Sequence, residues 1–233
     1  MFDDFSAPKL PNCWYKKRWL WIVVIIVGAW FGLPMLLQLF ISSPVKTSGG
    51  FTAAPGLSSS VAPTAIVNVV TADDPSIGVS DAPVTIVEFG DFECPFSKQV
   101  QPIIKQMVNK YPDAVRFIYR DFPLVDINAQ AVSAAEAANC AKLQGKFWQF
   151  HDQLFGGQDK LGAAFYDVIG DSLGLDMASF KRCRDNRQTL LEIQDDLKVG
   201  VAAGVKGTPT FFVNGRKLEG ALPLELWDKV ISS

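Results

Sequence analysis

The stretch that decides the fold is "VTIVEFGDFECPFSKQVQPIIKQ", residues 84–106. Its first six residues form a near-continuous apolar run with several β-branched side chains, which predicts a strand buried on both faces. Apolar residues from Val100 to Val108 recur at helical spacing, so a helix is expected to begin just after Cys94. The stretch therefore predicts a strand, a short turn and a helix, with a thiol at the start of the helix.

The position of Cys94 suits a reactive thiol. Cys94 would take the N-cap position of the helix, and Pro95 suits the first helical position, whose N–H has no intrahelical partner. The thiolate is the nucleophile in disulfide exchange, and the free N–H groups and dipole of a helix N-terminus favour that form. We expect a thiol displayed at a turn to be at least partly solvated, with Ser97 placing a hydroxyl near it as a donor. The alternative is a structural or incidental cysteine at a strand–helix turn.

A long apolar run lies near the start of the chain. Residues 19–41 contain no charged residue, and only Gln38 among them is strongly polar. About 20 such residues suffice to cross a bilayer as a helix, whereas the apolar core of a cleaved signal peptide, the alternative, spans only about 7–15. Basic residues 16–18 precede the run, and the positive-inside rule then puts the N-terminus in the cytoplasm. We expect a cytoplasmic segment 1–18, an uncleaved transmembrane helix 19–41, and an extracytoplasmic remainder, periplasmic or at the cell surface.

The segment after this run differs in composition. Residues 42–64 are rich in Ser, Gly, Pro and Ala, which is typical of a flexible linker. The folded domain is then expected to span residues 65–233. The net charge of the chain is −2, and no basic stripe occurs outside residues 16–18, so nucleic-acid binding is not expected.

The folded domain reads as an α/β sheet with helices inserted in its middle. Residues 65–70, "AIVNVV", can be a first strand, and the following segment is rich in turn residues. About four helical patterns fall between residues 126 and 203. After them, residues 208–220 read as a strand, an Asn-Gly turn and a second strand, and residues 222–233 as a closing helix.

The chain contains four cysteines. Cys13 precedes the apolar run and would be cytoplasmic, whereas Cys94, Cys140 and Cys183 would lie outside, where disulfides persist. Cys140 and Cys183 could be redox partners of Cys94, a metal pair, or a disulfide with each other. A metal pair has little support, because His151 is the only histidine and no ligand cluster surrounds it. Since His151 lies among aromatic residues, we interpret it as a core histidine rather than a catalytic base.

Three segments together resemble the DsbA-like branch of the thioredoxin superfamily. They are residues 84–106, "QGKFWQFHDQLF" at 144–155, and "GVKGTPTFFVNG" at 204–215. The resemblance covers roughly residues 64–233. It implies a thioredoxin fold with an inserted helical subdomain, and thiol–disulfide chemistry outside the cytoplasm.

The resemblance also implies roles for particular residues. The nucleophile of the family is the first residue of the motif, here Cys94, followed by Pro95 and Phe96. The family has a cis-proline beside the nucleophile, which would be Pro209, preceded by Thr208.

Two further assignments follow from the resemblance. Glu88 matches an acidic residue buried beneath the site of the family; otherwise it would be a charged residue at a strand end, although a buried charge is costly without a role. Cys140 and Cys183 match cysteines that the family bonds to each other, which implies a structural disulfide.

The motif departs from the family at Ser97, where the family has its second cysteine. Without that cysteine the motif cannot store an oxidising disulfide, so net oxidation of substrates is not expected. Isomerisation moves no electrons overall and needs only one thiol. Glutathione or another low-molecular-weight thiol could also resolve the adduct as a co-substrate, and in this respect the site is similar to monothiol glutaredoxins. No resident cofactor or metal is expected.

Two hypotheses follow from these residues. The first is a membrane-tethered thiol–disulfide isomerase or oxidoreductase that acts through Cys94 on cysteine-containing extracytoplasmic proteins. The second is a redox-inactive thioredoxin-like binding or chaperone module, which holds partner chains in the groove beside Pro209. The reactivity of Cys94 towards a thiol reagent would separate the two.

Overall fold

The structure is a computed structural model that describes residues 69–71 and 73–232. The predicted cytoplasmic segment 1–18, transmembrane helix 19–41 and linker 42–64 lie outside the described residues. Within the described part of the chain, no helix has the length and apolar character needed to cross a membrane.

The described residues form one mixed sheet with α-helices around it. The strands are β1 (Ser76–Ile77), β2 (Val84–Gly90), β3 (Val115–Asp121), β4 (Thr210–Val213) and β5 (Arg216–Glu219). The helices are α1 (Pro95–Lys110), α2 (Ala131–Lys142), α3 (Phe147–Gly156), α4 (Ala163–Ser172), α5 (Met177–Asp185), α6 (Leu190–Ala202) and α7 (Leu224–Ile231). A single 3₁₀ turn, Gln158–Lys160, joins α3 to α4.

The sheet has the strand order β1-β3-β2-β4-β5, with β2 at its centre. Strands β2 and β3 are parallel and are connected through α1, while the other neighbouring pairs are antiparallel. Glu88 on β2 stands opposite Tyr119 on β3 and Phe211 on β4. This arrangement places the carboxyl end of β2, and with it the Cys94 turn, beside the start of β4.

Strand β2 is buried on both faces, as its apolar run predicts. Ile86 on one face packs with residues of α1 and α7, among them Met107 and Trp227. Val87 and Phe89 on the other face pack in a second core with residues of β3 and β4. Because side chains alternate along a strand, Glu88 shares the face of Ile86 and points towards α1.

Helices α2 to α6 form the predicted insertion between β3 and β4. Their core is centred on the alanine-rich α2, whose small side chains let aromatic residues of α3 and α5, such as Phe150 and Phe180, pack closely. Cys140 on α2 is bonded to Cys183 on α5, and both are buried. The insertion therefore has a hydrophobic core of its own, closed by a covalent link.

The first strand differs from its prediction. Residues 69 and 70 belong to no strand, and residues 65–68 lie outside the described part of the chain. Strand β1, Ser76–Ile77, instead falls within the turn-rich segment and pairs antiparallel with the open edge of β3. A two-residue strand is too short to show an alternating pattern, so only the available edge of β3 determines where it forms.

Candidate active site

Cys94 occupies the N-cap of α1, and Pro95 is the first helical residue, as predicted from the sequence. The backbone of Cys94 is extended, and its N–H donates to the carbonyl of Asp91 at 3.0 Å. Its carbonyl accepts from the N–H of Lys98 at 3.1 Å, which closes the first turn of the helix. The thiol therefore sits at the end of α1 where backbone N–H groups lack helical partners.

The prediction of a partly solvated thiol is wrong, because the residue is only 5% exposed. The segment before β4 approaches it, and the thiol donates to the carbonyl of Thr208 at 3.3 Å. The two residues that follow Cys94 are instead exposed: Phe96 is 43% accessible, and Pro95 is exposed as well. An apolar surface thus lies beside a thiol that is itself largely covered.

Thr208 and Pro209 lie against Cys94, although 114 residues separate Thr208 from it in the sequence. The Thr208–Pro209 peptide bond is cis, and Pro209 is buried at the start of β4. The hydroxyl of Thr208 is buried and has no hydrogen-bond partner within the described residues. The fold therefore brings together the two segments that the sequence places at the site.

Ser97 does not play the part expected of it as a donor to the sulfur. Its side chain is completely buried, and its hydroxyl accepts from the N–H of Asp91 at 3.4 Å. No hydrogen bond joins it to the thiol of Cys94 within the described part of the chain. The hydroxyl turns inward towards the β2–α1 turn, because that turn presents a free N–H group.

Glu88 is fully buried on β2, under the first turns of α1. The amide of Gln101 donates to its two carboxyl oxygens at 3.3 and 3.4 Å, and also to the carbonyl of Ser97 at 3.1 Å. Burial raises the pKa of Glu88 to about 8, against the opposing effect of the hydrogen bond from Gln101. The carboxyl is therefore mostly protonated at neutral pH, which avoids the cost of a buried charge.

Asp91 organises the turn before Cys94, a role that the sequence analysis missed. Its carboxylate accepts from the N–H of Glu93 at 2.8 Å, the N–H of Leu124 at 2.9 Å and the side chain of Asn128 at 2.8 Å. Burial raises its pKa, and these three bonds oppose that shift. An Asp two residues before a turn N–H is a recognisable Asx-turn signal, so the local part of this role could have been found from the sequence.

Gln158, in the 3₁₀ turn after α3, was also missed. Its side-chain amide donates to the carbonyl of Phe92 at 2.8 Å and to the carbonyl of Cys94 at 3.0 Å. Nothing local in the sequence signals this contact, since the two segments meet only when the insertion docks on the sheet.

The structure places His151 in the core, as interpreted from its aromatic surroundings. It is 2% exposed, and the rings of Phe92, Tyr119 and Phe155 pack around it. Burial lowers its pKa, while a contact to Asp152 at 3.2 Å acts in the other direction. Within the described residues, no group of three or more His, Cys, Asp or Glu side chains could hold a metal ion.

Comparison with known proteins identifies the family of this chain. A family model described as thioredoxin matches residues 70–233. The chain belongs to the thioredoxin family.

Two solved structures show which branch of the superfamily it resembles. A thioredoxin-like oxidoreductase from Silicibacter pomeroyi DSS-3 superposes with a TM-score of 0.61 and 25% identity, covering 70% of this chain and 92% of that one. The thiol-disulfide exchange protein alpha-DsbA2 from Wolbachia pipientis gives a TM-score of 0.62 and 23% identity, covering 68% and 86%. The likeness to alpha-DsbA2 shows that this thioredoxin-family protein has a DsbA-like fold.

The curated relatives are longer proteins that match about two thirds of this chain. The Na⁺/H⁺ antiporter NhaA 1 of Salinispora arenicola (strain CNS-205) is 38% identical over 158 residues. That match covers 67% of this chain and 24% of the antiporter. The chain thus spans about a quarter of the length of the curated relatives it matches.

The site of this DsbA-like protein has the parts needed for a single thiol–disulfide exchange. Among the described residues, Cys94 is the only free cysteine. A thiolate at this position would attack one sulfur of a disulfide, forming a new S–S bond while the second sulfur leaves as a thiolate. The arrangement offers no second motif thiol to complete an internal disulfide.

Proposed function

We propose that this DsbA-like protein is a thiol–disulfide exchange enzyme that uses Cys94 as its single nucleophile. The observation that carries the proposal is that Cys94 lies free at the N-cap of α1 beside Thr208, while Cys140 and Cys183 are bonded to each other. Because that disulfide is buried in the insertion, we do not propose Cys140 or Cys183 as the thiol that resolves a mixed disulfide at Cys94.

The reaction that suits one thiol is isomerisation. The Cys94 thiolate attacks a substrate disulfide and forms a mixed disulfide, and the released substrate thiolate is free to attack elsewhere in the substrate. When a substrate thiolate attacks the substrate sulfur of the mixed disulfide, a new substrate disulfide forms and Cys94 leaves as a thiolate. One S–S bond is broken and one formed at each step, so no external oxidant or reductant is consumed.

A low-molecular-weight thiol such as glutathione is proposed as a co-substrate for adducts that do not rearrange. Its thiolate attacks the mixed disulfide at the substrate sulfur, Cys94 leaves as a thiolate, and the small thiol remains joined to the substrate. This step also conserves the number of disulfides.

The substrates are proposed to be cysteine-containing extracytoplasmic proteins. The exposed ring of Phe96 and the exposed Pro95 offer an apolar surface directly beside Cys94. The hydroxyl of Thr208 is buried and has no partner among the described residues, so it must be uncovered before it can bond a polar group of a substrate chain. These features suit an unfolded chain, which exposes apolar side chains together with backbone polar groups.

The protein is proposed to work from the membrane, anchored by residues 19–41, with the thioredoxin domain outside. The apolar run and the basic residues before it support this topology. The names of the curated relatives, which are Na⁺/H⁺ antiporters, also point to a membrane. Protease added to intact spheroplasts should remove the domain, whereas a soluble product with a new N-terminus after residue 54 would contradict the anchor.

The exchange activity is tested by trapping the mixed disulfide. The protein is incubated with a model protein whose disulfides have been scrambled, the reaction is stopped with acid, and the adducts are mapped by mass spectrometry. We expect a substrate cysteine bonded to Cys94, recovery of native substrate without added oxidant, and neither result with Cys94→Ala. An equal recovery by Cys94→Ala, or no adduct at Cys94, would contradict the proposal.

A redox-inactive binding or chaperone module is the second candidate, and the burial of Cys94 favours it. A cysteine that is only 5% exposed must be uncovered before its thiol attacks a protein disulfide. If the protein suppresses aggregation of an unfolded chain equally well as the wild type and as Cys94→Ala, and forms no adduct, this second function is the correct one.

A further inference from the structure

The helical insertion holds the turn that carries Cys94. The side-chain amide of Gln158 donates one hydrogen bond to the carbonyl of Phe92, at 2.8 Å, and one to the carbonyl of Cys94, at 3.0 Å. In addition, the backbone N–H of Gln130, just before α2, donates to the carboxylate of Glu93 at 2.6 Å. Phe92, Glu93 and Cys94 are therefore each bonded to the insertion.

The ring of Phe92 adds a packing contact to these hydrogen bonds. Phe92 is 1% exposed and belongs to the core of the insertion rather than to the core of the sheet. Its ring centroid lies 5.0 Å from that of Phe155 and 5.5 Å from that of His151, both on α3. Helix α3 therefore packs against the ring of Phe92, and the 3₁₀ turn that follows α3 bonds the carbonyls of Phe92 and Cys94.

The side-chain amide of Gln158 has the donors that the two carbonyls of the turn require. A carboxamide NH₂ has two hydrogens, and here each is donated to a different carbonyl. The carbonyl of Cys94 also accepts from the N–H of Lys98 and so has two donors. Fixing this carbonyl fixes the Cα–Cβ direction of Cys94, and hence the path along which its sulfur meets a disulfide.

We propose that Gln158 is a positioning residue for the Cys94 nucleophile, through which the helical insertion sets the geometry of attack; this inference rests on the proposed exchange function. Gln158 does not contact the thiol, and it acts through the main chain of the turn. Its effect therefore falls on the rate of the chemical step, which depends steeply on alignment of the reacting atoms.

The test compares substitutions of two glutamines. Gln158→Leu removes both donors at similar volume, and Gln158→Glu keeps the shape but turns carboxylate oxygens towards two carbonyl oxygens. Gln158→Asn keeps the donors on a shorter side chain. Gln153→Leu on α3 is the matched control, since Gln153 is similarly half-buried and its side chain bonds only Ser172 among the described residues, at 3.4 Å or longer.

Each variant is mixed with a peptide disulfide over a range of concentrations, and formation of the mixed disulfide is followed to give a limiting rate and a half-saturating concentration. We expect the limiting rate of Gln158→Leu and Gln158→Glu to fall about tenfold below that of Gln153→Leu, with Gln158→Asn recovering part of the loss. The half-saturating concentration should stay within about twofold, because the proposed action of Gln158 is on the main chain of the turn and not on the peptide. Melting temperatures show that the proteins compared are folded.

Limiting rates of Gln158→Leu and Gln158→Glu within about twofold of the control would overturn the proposal, as would a loss confined to the half-saturating concentration. If the leucine variant does not fold, the glutamate variant decides. If the wild type forms no mixed disulfide, the exchange function fails but positioning is still measured: alkylation of Cys94 by iodoacetamide, which needs no disulfide partner, should slow by a similar factor in the Gln158 variants. Equal alkylation rates in the wild type and the Gln158 variants would contradict the positioning role of Gln158.

Discussion

Replacing Glu88 by Gln should remove a pH dependence of stability that the wild-type protein carries. Glu88 is fully buried, and burial raises its pKa from 4.5 to about 8. Between these two pH values the folded protein keeps a proton that the unfolded chain releases. Because the folded state then binds more protons than the unfolded state, raising the pH through this window destabilises the fold.

The size of the effect follows from the same two values. Each pH unit within the window contributes about 1.4 kcal/mol, so the whole interval, about 3.5 pH units, sets a ceiling of about 5 kcal/mol. At pH 5 most of this stability is still present, at pH 7 about 3 kcal/mol has been lost, and above pH 8 the loss levels off. The wild type should therefore lose about 3 to 4 kcal/mol of unfolding free energy from this residue between pH 5 and pH 8.

Urea denaturation of the wild type and Glu88→Gln at pH 5, 6, 7 and 8 measures this loss. The quantity of interest is the difference between the two proteins at each pH, since other titrating groups, such as His151, contribute equally to both. A glutamine at this position still accepts from Gln101, but its own NH₂ group needs a buried partner, which changes the stability of the variant at every pH. The informative quantity is therefore how the stability difference between the two proteins changes with pH. Glu225→Gln makes the same change at an exposed position of α7 and serves as the matched control.

We expect Glu88→Gln to gain stability relative to the wild type as the pH rises, reaching about 3 kcal/mol between pH 5 and pH 8. If the two proteins instead lose stability in parallel across this range, Glu88 does not hold its proton in the folded state. The description of its carboxyl as mostly protonated at neutral pH would then be incorrect.

Three further predictions concern cysteines and the turn. The Ser97→Cys variant should form an internal disulfide with Cys94, because residues three apart share a face of the helix. The variant should then oxidise a reduced model protein when a small-molecule oxidant is supplied. Absence of the internal disulfide by mass mapping would argue against a complete thioredoxin site. Cys140→Ala and Cys183→Ala should each lower the unfolding free energy by about 4 kcal/mol, since either removes the bond between two cysteines 43 positions apart. Unequal losses in urea denaturation would contradict this. Asp91→Ala should cost about 2 to 5 kcal/mol by leaving two turn or loop N–H groups without their acceptor, whereas Asp91→Asn should cost less.

The sequence was informative wherever a feature is local. The apolar run of β2, the helical spacing of α1 and the Cys-Pro pair at its start all depend on residues within one or two turns of each other, and the structure has them where they were predicted. The order of the later helices and the Asn-Gly turn between β4 and β5 follow from patterns of the same range. Strand β1 was missed because two residues carry no pattern and its place depends on the open edge of β3.

The burial and hydrogen-bond partners of Cys94 and Ser97 were not predicted from the sequence. The stretch around Cys94 indicated a displayed thiol and a nearby hydroxyl from Ser97, yet the structure covers the thiol with the carbonyl of Thr208 and turns the hydroxyl towards Asp91. The first outcome could not be derived from neighbouring residues, because Thr208 is 114 positions from Cys94 in the sequence. The second depends on the exact backbone path of the turn between Asp91 and Ser97, which the residue pattern does not specify.

Local chemistry by itself determined that this chain has a strand–turn–helix unit with one cysteine at the helix start and no second motif cysteine. Tertiary structure alone decided that Cys94 is buried, that Glu88 keeps its proton, and that Gln158 reaches the turn from the insertion. The physical reason is that backbone conformation responds to nearby residues, whereas solvation and hydrogen-bond partners are fixed only when segments far apart in sequence pack together.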